Sequence, residues 1–212
     1  LNDITRLLEI YITELIEKQD LNLRIPEIYE IGTKVDRVIS FNYTDTYRRL
    51  YRGTELVECC FIHGKADEDS TTEACNLVLG IDEYLEGNRK DKENTFIWFK
   101  KFYQRIFKQT SSDYIDWLDE HIKDNEGQEE PLPVYIYFYG HSLDVTDKDV
   151  LEKLIKHDNA VIRIYYHNKE AMAKQISNLV KVIGADSLIL MTRGRERKIQ
   201  FLQASQARDE VF

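Results

Sequence analysis

Residues 133–150 read PVYIYFYGHSLDVTDKDV, and this stretch decides the fold. Val134 to Tyr139 are all β-branched or aromatic. That is the composition of a strand buried on both faces of a sheet. Gly140-His141-Ser142 ends the run. A helix is expected to follow: Thr146 suits an N-cap, Asp149 sits at the capping-box position, and Val145 and Val150 are spaced as a hydrophobic staple. Strand, small-residue turn and helix in this order belong to an open α/β sheet. Ligands of such sheets sit outside the carboxyl ends of the strands.

Outward from this stretch the alternation continues. Ala160–Tyr166 is expected as a strand, and Asn168 as the N-cap of a helix running to about Ile183. Ser187–Met191 is expected as a further strand, with Lys198–Leu202 as its pairing partner. This is the βαβ signature of a parallel sheet. Upstream, Val35–Phe41 reads as a strand ending in Asn42-Tyr43-Thr44-Asp45. Glu55–Ile62 reads as a second, ending at His63-Gly64. Asn76–Leu79 reads as a third, ending at Gly80-Ile81-Asp82. Each strand runs into a polar turn. A single parallel sheet would bring Asn42, His63, Asp82 and Ser142 to one edge.

Two helical regions complete the chain. Ile4, Leu7, Leu8, Tyr11, Ile12, Leu15 and Ile16 make one apolar face, so residues 1–19 read as a docking helix without chemistry of its own. Phe96, Phe99, Phe102, Tyr103, Ile106 and Phe107 make a broad aromatic face on a helix over 95–108. A helix from about Ser112 to Ile122 follows, then an acidic linker closed by Pro131 and Pro133. Residues of about 83–130 therefore read as a helical insertion, opened by a charged loop and covering the sheet. Core is the default fate of these apolar faces.

The chain of 212 residues suits a single α/β domain spanning 1–212. It is 42% hydrophobic and 32% charged, so it can form a packed core. Its net charge of −9 argues against non-specific nucleic-acid binding. No run is apolar and long enough to cross a bilayer, and no secretory signal is present. Cys59, Cys60 and Cys75 lack zinc-site spacing and form no disulfide framework; they read as buried thiols of a reducing, cytoplasmic compartment. The chain enters a helix directly from Leu1, as expected of the later part of a longer protein.

Several residues carry candidate chemistry. The Asn42 amide can both donate and accept hydrogen bonds, although Asn is also a common turn residue. His63 stands beside Gly64, which permits close backbone approach. Gly140-His141-Ser142 can present N–H groups and a hydroxyl to phosphate, but lacks a Gly-x-Gly-x-x-Gly pattern. Asp82 and Asp144 suit a ribose hydroxyl or, equally, a cap or turn. No Gly-x-Ser-x-Gly, His-Glu-x-x-His or Walker sequence is present. The carboxylates of Asp45, Asp82 and Asp144 match no metal spacing, and no metal is expected.

In order, SFNYTDTY (40–47), IHGK (62–65), LGIDEY (79–84) and FYGHSLDVTDKDVL (138–151) resemble the bacteriophage abortive-infection AbiH family. That family is similar to the sirtuin-like superfamily, which binds NAD on a Rossmann-like domain. The resemblance implies a Rossmann-like (sirtuin-like), mostly parallel sheet flanked by helices, without its Gly-rich first strand-turn-helix. Asn42 stands at the sirtuin asparagine and His63 at the catalytic histidine. Gly140 and Ser142 stand at the Gly and Ser of the last segment, with His141 in place of Thr. Thr44 occupies the position of the sirtuin aspartate, and Asp45 follows one residue later. The sirtuin four-cysteine zinc module is absent.

The resemblance thus implies hydrolysis of NAD by His63 and Asn42. Thr44, Asp45, Gly64, Asp82, Gly140, His141 and Ser142 would hold the nucleotide. A sensor that binds NAD or ADP-ribose without turnover is the alternative. A phage-encoded trigger or partner protein and a homo-oligomer are the implied associations.

Overall fold

The computed structural model describes residues 1–20, 23–26, 28, 31, 35–51, 57–80, 96–195, 197–205, 208 and 209. In chain order the elements are α1 (Asn2–Tyr11), prolonged by a π turn (Ile12–Ile16), β1 (Leu23–Arg24), β2 (Arg37–Ser40), α2 (Thr46–Leu50) and β3 (Glu58–Phe61). A 3₁₀ turn (Ile97–Phe99), α3 (Lys101–Lys108), α4 (Asp113–Asp124) and β4 (Val134–Phe138) follow. A second 3₁₀ turn (Val145–Asp147), α5 (Lys148–Lys156), β5 (Ala160–Tyr166), α6 (Lys169–Ile183), α7 (Ala185–Thr192), β6 (Ile199–Gln203) and β7 (Arg208–Asp209) complete it. The architecture is mixed α/β, with two parallel sheets flanked by helices, consistent with a Rossmann-like fold. The chain divides into two units, Leu1–Tyr114 with Ala207–Phe212, and Ile115–Gln206.

In the second unit, β4, β5 and β6 form a parallel sheet in that order, with Val134 opposite Ala160 and Ile162 opposite Ile199. Right-handed crossovers made in one direction place α5 and α6 on the same face. The two helices pack on each other and on β5. Val150, Leu151, Leu154 and Ile155 of α5 and Leu179 and Val182 of α6 are buried there, with Ile162, Ile164 and Ile199 of the sheet. The other face is less covered, and Tyr135 and Tyr137 are exposed. The expectation that β4 is buried on both faces is therefore corrected: its side chains alternate.

Asn168 caps α6 as expected, its Oδ1 accepting the Ala171 N–H at 2.8 Å. Ser187–Met191 is helical within α7, not a strand, and Lys198–Leu202 supplies β6, which pairs with β5 instead. Parallel strands need a crossover, and α6 with α7 provides it. The helix after β4 also starts differently. Asp144, not Thr146, is the cap: its Oδ1 accepts the Thr146 N–H at 3.1 Å, and a 3₁₀ turn precedes α5.

In the first unit, β2 and β3 pair in parallel, Arg37 opposite Glu58 through Ser40 opposite Phe61. A short antiparallel pair joins β1 and β7. Of the expected second strand, Glu58–Phe61 is realised; Glu55 and Leu56 lie outside the described residues. The expected third strand, Asn76–Leu79, is not one. Its backbone groups are held mostly by side chains. Lys108 Nζ donates to Leu77 O at 2.6 Å, Tyr43 Oη to Val78 O at 2.7 Å, and Gln104 grips both N–H and C=O of Leu79 at 3.1 and 2.8 Å. Val78 N–H donates to His63 O at 2.9 Å. Leu77, Val78, Cys60 and Ile62 are buried in the core below.

The amphipathic helices meet expectation only in part: Ile12 is buried and Leu8 packs against the core beside it, but other residues of the expected apolar faces are exposed. On α1 and its π turn, Thr5, Glu9, Ile12 and Thr13 are buried, while Ile4, Leu7, Tyr11 and Leu15 are more than half exposed. Glu9 is 1% exposed; its carboxylate meets Arg6 Nη1 at 2.8 Å and accepts the Asp67 N–H at 3.1 Å. On α3, Gln104 is buried while Phe102, Ile106 and Phe107 are exposed. Among the described residues no helix is long and apolar enough to cross a membrane.

Candidate functional site

Two of the expected turns meet at the carboxyl end of the β2–β3 pair. The ladder continues one step past the strands, Ile62 N–H donating to Ser40 O at 3.0 Å. Ala66 N–H then donates to Tyr43 O at 2.8 Å. Parallel pairing thereby forces the segment 41–46 beside the segment 62–66. Asn42 is exposed at the crest. The Ser40 hydroxyl holds its backbone, accepting the Asn42 N–H at 3.3 Å and donating to Asn42 O at 3.2 Å.

His63 lies under this crest, 4% exposed. Its Nδ1 is 3.2 Å from Phe41 O. A carbonyl only accepts, so in this contact Nδ1 is the donor. The ring packs edge-on to Phe41, with centroids 5.7 Å apart, and tilted to Tyr43 at 6.4 Å. Gly64 has φ +80°, and a Cβ there would lie 2.4 Å from Asn76 O. Only glycine fits both the backbone conformation and the space.

Asp45 sits between two cations. Its Oδ2 is 3.2 Å from Lys65 Nζ and 3.4 Å from Arg48 Nη1. Its Oδ1 is buried, with no hydrogen-bond partner among the described residues. The Thr44 and Thr46 hydroxyls are 2.7 Å apart. Cys59 adjoins the group; burial pushes its thiol up, and the nearby Arg48 charge pulls it down. Arg48 and Lys65 were not singled out from sequence. Asp45 and Arg48 are three apart at a helix start, the spacing of a surface ion pair, and Lys65 directly follows His-Gly.

In the second unit, the Gly140-His141-Ser142 turn follows β4. His141 Nδ1 accepts the Leu143 N–H at 2.9 Å, which leaves the ring proton on Nε2, 3.7 Å from the buried Asp147 carboxylate. Leu143 is fully buried at φ +57°, a conformation that costs a non-glycine residue about 1–2 kcal/mol. Two buried amides of α6 hold the turn. Gln175 Nε2 donates to His141 O at 3.1 Å and Asn178 Nδ2 to Ser142 O at 2.9 Å. Sequence alone does not single these two residues out; polar groups on the apolar side of α6 are the available signal. Asp144 serves as a cap. Ser142 is exposed.

The structure thus gathers Asn42, Thr44, Asp45, His63 and Gly64 in the first unit. Gly140, His141 and Ser142 form their own turn in the second, on a sheet that does not include β2 or β3. The single sheet edge expected from sequence is replaced by two. Asp82 lies outside the described residues. The first-unit group combines an exposed amide, a buried imidazole and a carboxylate held by two cations. Such a set can bind a hydroxyl-rich ligand and accept a proton.

The family model described as Bacteriophage abortive infection AbiH matches residues 1–167 of the chain. No curated protein and no solved structure matches it.

Proposed function

The chain belongs to the bacteriophage abortive infection AbiH family, a membership that suggests a role in phage defence, and from that premise we propose that it hydrolyses NAD at the nicotinamide–ribose bond. One observation carries the proposal: Asn42 and His63 end adjacent parallel strands. Ligands of α/β sheets bind at such ends.

The chemistry is as follows. The C1′–N bond breaks with its electron pair passing to the nicotinamide ring, which leaves neutral, so no general acid is needed. The ribose becomes oxocarbenium-like, as in glycoside hydrolysis. Water adds to C1′ and gives its proton to His63 as general base, a transfer that contributes about 10² to 10⁴-fold. The products are nicotinamide, ADP-ribose and a proton. Asn42 orients the water or the ribose. Asp45, held between Lys65 and Arg48, would meet a ribose hydroxyl through the exposed part of its carboxylate. Thr44 and Gly64 line the same turns. For Gly140, His141 and Ser142 we propose contact with a nucleotide phosphate or ribose, tested separately by Ser142→Ala. Depletion of NAD would halt the host cell and with it the phage.

A second reading is a nucleotide sensor without turnover. The burial of His63 favours it, because a ring 4% exposed offers little surface to a substrate water. The test is nicotinamide release from NAD by wild type, His63→Ala and Asn42→Ala, with folding verified by circular dichroism and phage lysate added as trigger. Turnover in wild type that both variants lose is the expected result. No turnover, with NAD or ADP-ribose still bound, replaces the hydrolase by the sensor. Neither turnover nor binding removes both.

A further inference from the structure

We propose that Lys108 is a reactive amine in the wall of a small polar cavity, where it takes up a small aldehyde as a reversible imine. Its Nζ donates to Leu77 O at 2.6 Å and to Thr5 Oγ1 at 3.5 Å. The Thr5 hydroxyl gives its own proton to Asn2 O at 2.9 Å, so toward Lys108 it accepts. Two acceptors match the two N–H bonds of a neutral amine. An ammonium carries a third proton, and among the described residues no third acceptor meets this nitrogen.

Charge balance points the same way. Among the described residues no carboxylate pairs with Lys108. The carboxylate of Glu9 is taken up by Arg6 Nη1 at 2.8 Å and by the Asp67 N–H at 3.1 Å. Burial pushes the Lys108 ammonium below the ordinary lysine value of 10.5, and Cys75 and Glu9 oppose this only in part. A buried amine without a counter-ion sheds its proton in preference to staying charged. A lysine in that state is a nucleophile, and in a cleft it marks a candidate site.

The cavity sets the ligand class. Lys108 lines a space of about 180 Å³ in the first unit, together with Asn2, Thr72, Asn76, Phe107 and Gln109. None of these belongs to the Asn42–His63 group. Pockets for drug-sized ligands start at about 300 Å³, so this one suits a smaller molecule. The amides of Asn2, Asn76 and Gln109 are donors suited to a carbonyl oxygen, and Phe107 supplies an apolar wall. Glu73 also lines the space, which disfavours a carboxylate or phosphate and leaves a neutral carbonyl compound.

The step balances without an oxidant or reductant. The lysine lone pair attacks the carbonyl carbon and a C–N bond forms. The carbonyl oxygen leaves as water, carrying one amine proton and one proton from solvent. The protonated imine keeps one N–H for Leu77 O. Water returns the aldehyde by the reverse path.

The test is brief treatment of the full chain with propionaldehyde and cyanoborohydride at pH 7, followed by peptide mass spectrometry. Hydride traps the protonated imine as a propylated lysine. An ordinary lysine is almost fully protonated at pH 7, so Lys108 is expected to be labelled at least about tenfold faster than the exposed Lys123 and Lys174. Its labelling should also persist to lower pH than theirs. Thr72→Trp, which fills the cavity and leaves the amine in place, should slow Lys108 and not the other two. Labelling of Lys108 no faster than that of Lys123 and Lys174, with propionaldehyde and with the smaller formaldehyde, overturns the proposal. Fast labelling that Thr72→Trp leaves unchanged overturns the assignment to this cavity.

Discussion

Replacing Gly64 by alanine tests how tightly the His63 turn is built. Two costs are separable. The backbone at φ +80° is left-handed, and an L side chain there costs about 1–2 kcal/mol. The new Cβ would also lie 2.4 Å from Asn76 O, 2.6 Å from Asn76 Oδ1 and 2.8 Å from Asn76 C. Two of these three atoms are backbone, in a segment fastened by Val78 N–H to His63 O and by Lys108 to Leu77 O. Relief requires that segment to move, and overpacking of this kind costs about 1–3 kcal/mol. Gly64→Ala should therefore destabilise by roughly 2–5 kcal/mol. Gly127 supplies the control: its φ is +78° and a Cβ there meets nothing within 4 Å. Gly127→Ala should show the backbone cost alone. Urea unfolding of both variants, with m unchanged, reads the difference directly. If the two variants lose equal stability, the close approach of residues 64 and 76 is refuted.

Three further outcomes are expected. Glu9→Ala leaves Arg6 and the Asp67 N–H without their carboxylate and should cost about 3 kcal/mol; Leu7→Ala, on the opposite side of α1, should change monomer stability by less than about 0.5 kcal/mol in the same urea assay. Burial, and then the facing His121, hold the His157 imidazole below its ordinary value of 6.5. Below that value the unfolded chain takes up a proton that the folded chain refuses, so this contribution is present above pH 6.5 and is lost as pH falls through it toward the folded value, at up to about 1.4 kcal/mol per pH unit. His157→Phe should flatten that part of the acid limb in pH-dependent urea melts; an unchanged slope contradicts the assignment.

Much of the second unit was legible locally. The Val134 strand, the Ala160 strand, the Asn168 cap and the helix it starts all follow from short-range pattern. Each depends on neighbours within a few residues. Ser187–Met191 was not legible, because a five-residue apolar run fits strand or helix equally. What settles it is that β6 pairs in parallel with β5 and therefore needs a crossover, a fact that resides in the sheet. The loss of a third strand at Asn76–Leu79 has a similar cause. Gln104, Lys108 and Tyr43, distant in sequence, occupy the bonds a neighbouring strand would have made.

The sequence by itself determined which residues alternate, cap and turn, and it placed Asn42 and His63 directly after strands. Tertiary structure decided that those two turns meet, since parallel register between β2 and β3 depends on both strands at once. It also decided that Gly140-His141-Ser142 ends a strand of a different sheet. Above all it decided which side of α1 is buried. Periodicity shows that Ile4, Leu7, Tyr11 and Leu15 share a face. It does not show what lies against that face. In this protein the Asp67 N–H takes the Glu9 carboxylate on the buried side, where Leu8 and Ile12 also pack, and Leu7 and Leu15 are left exposed.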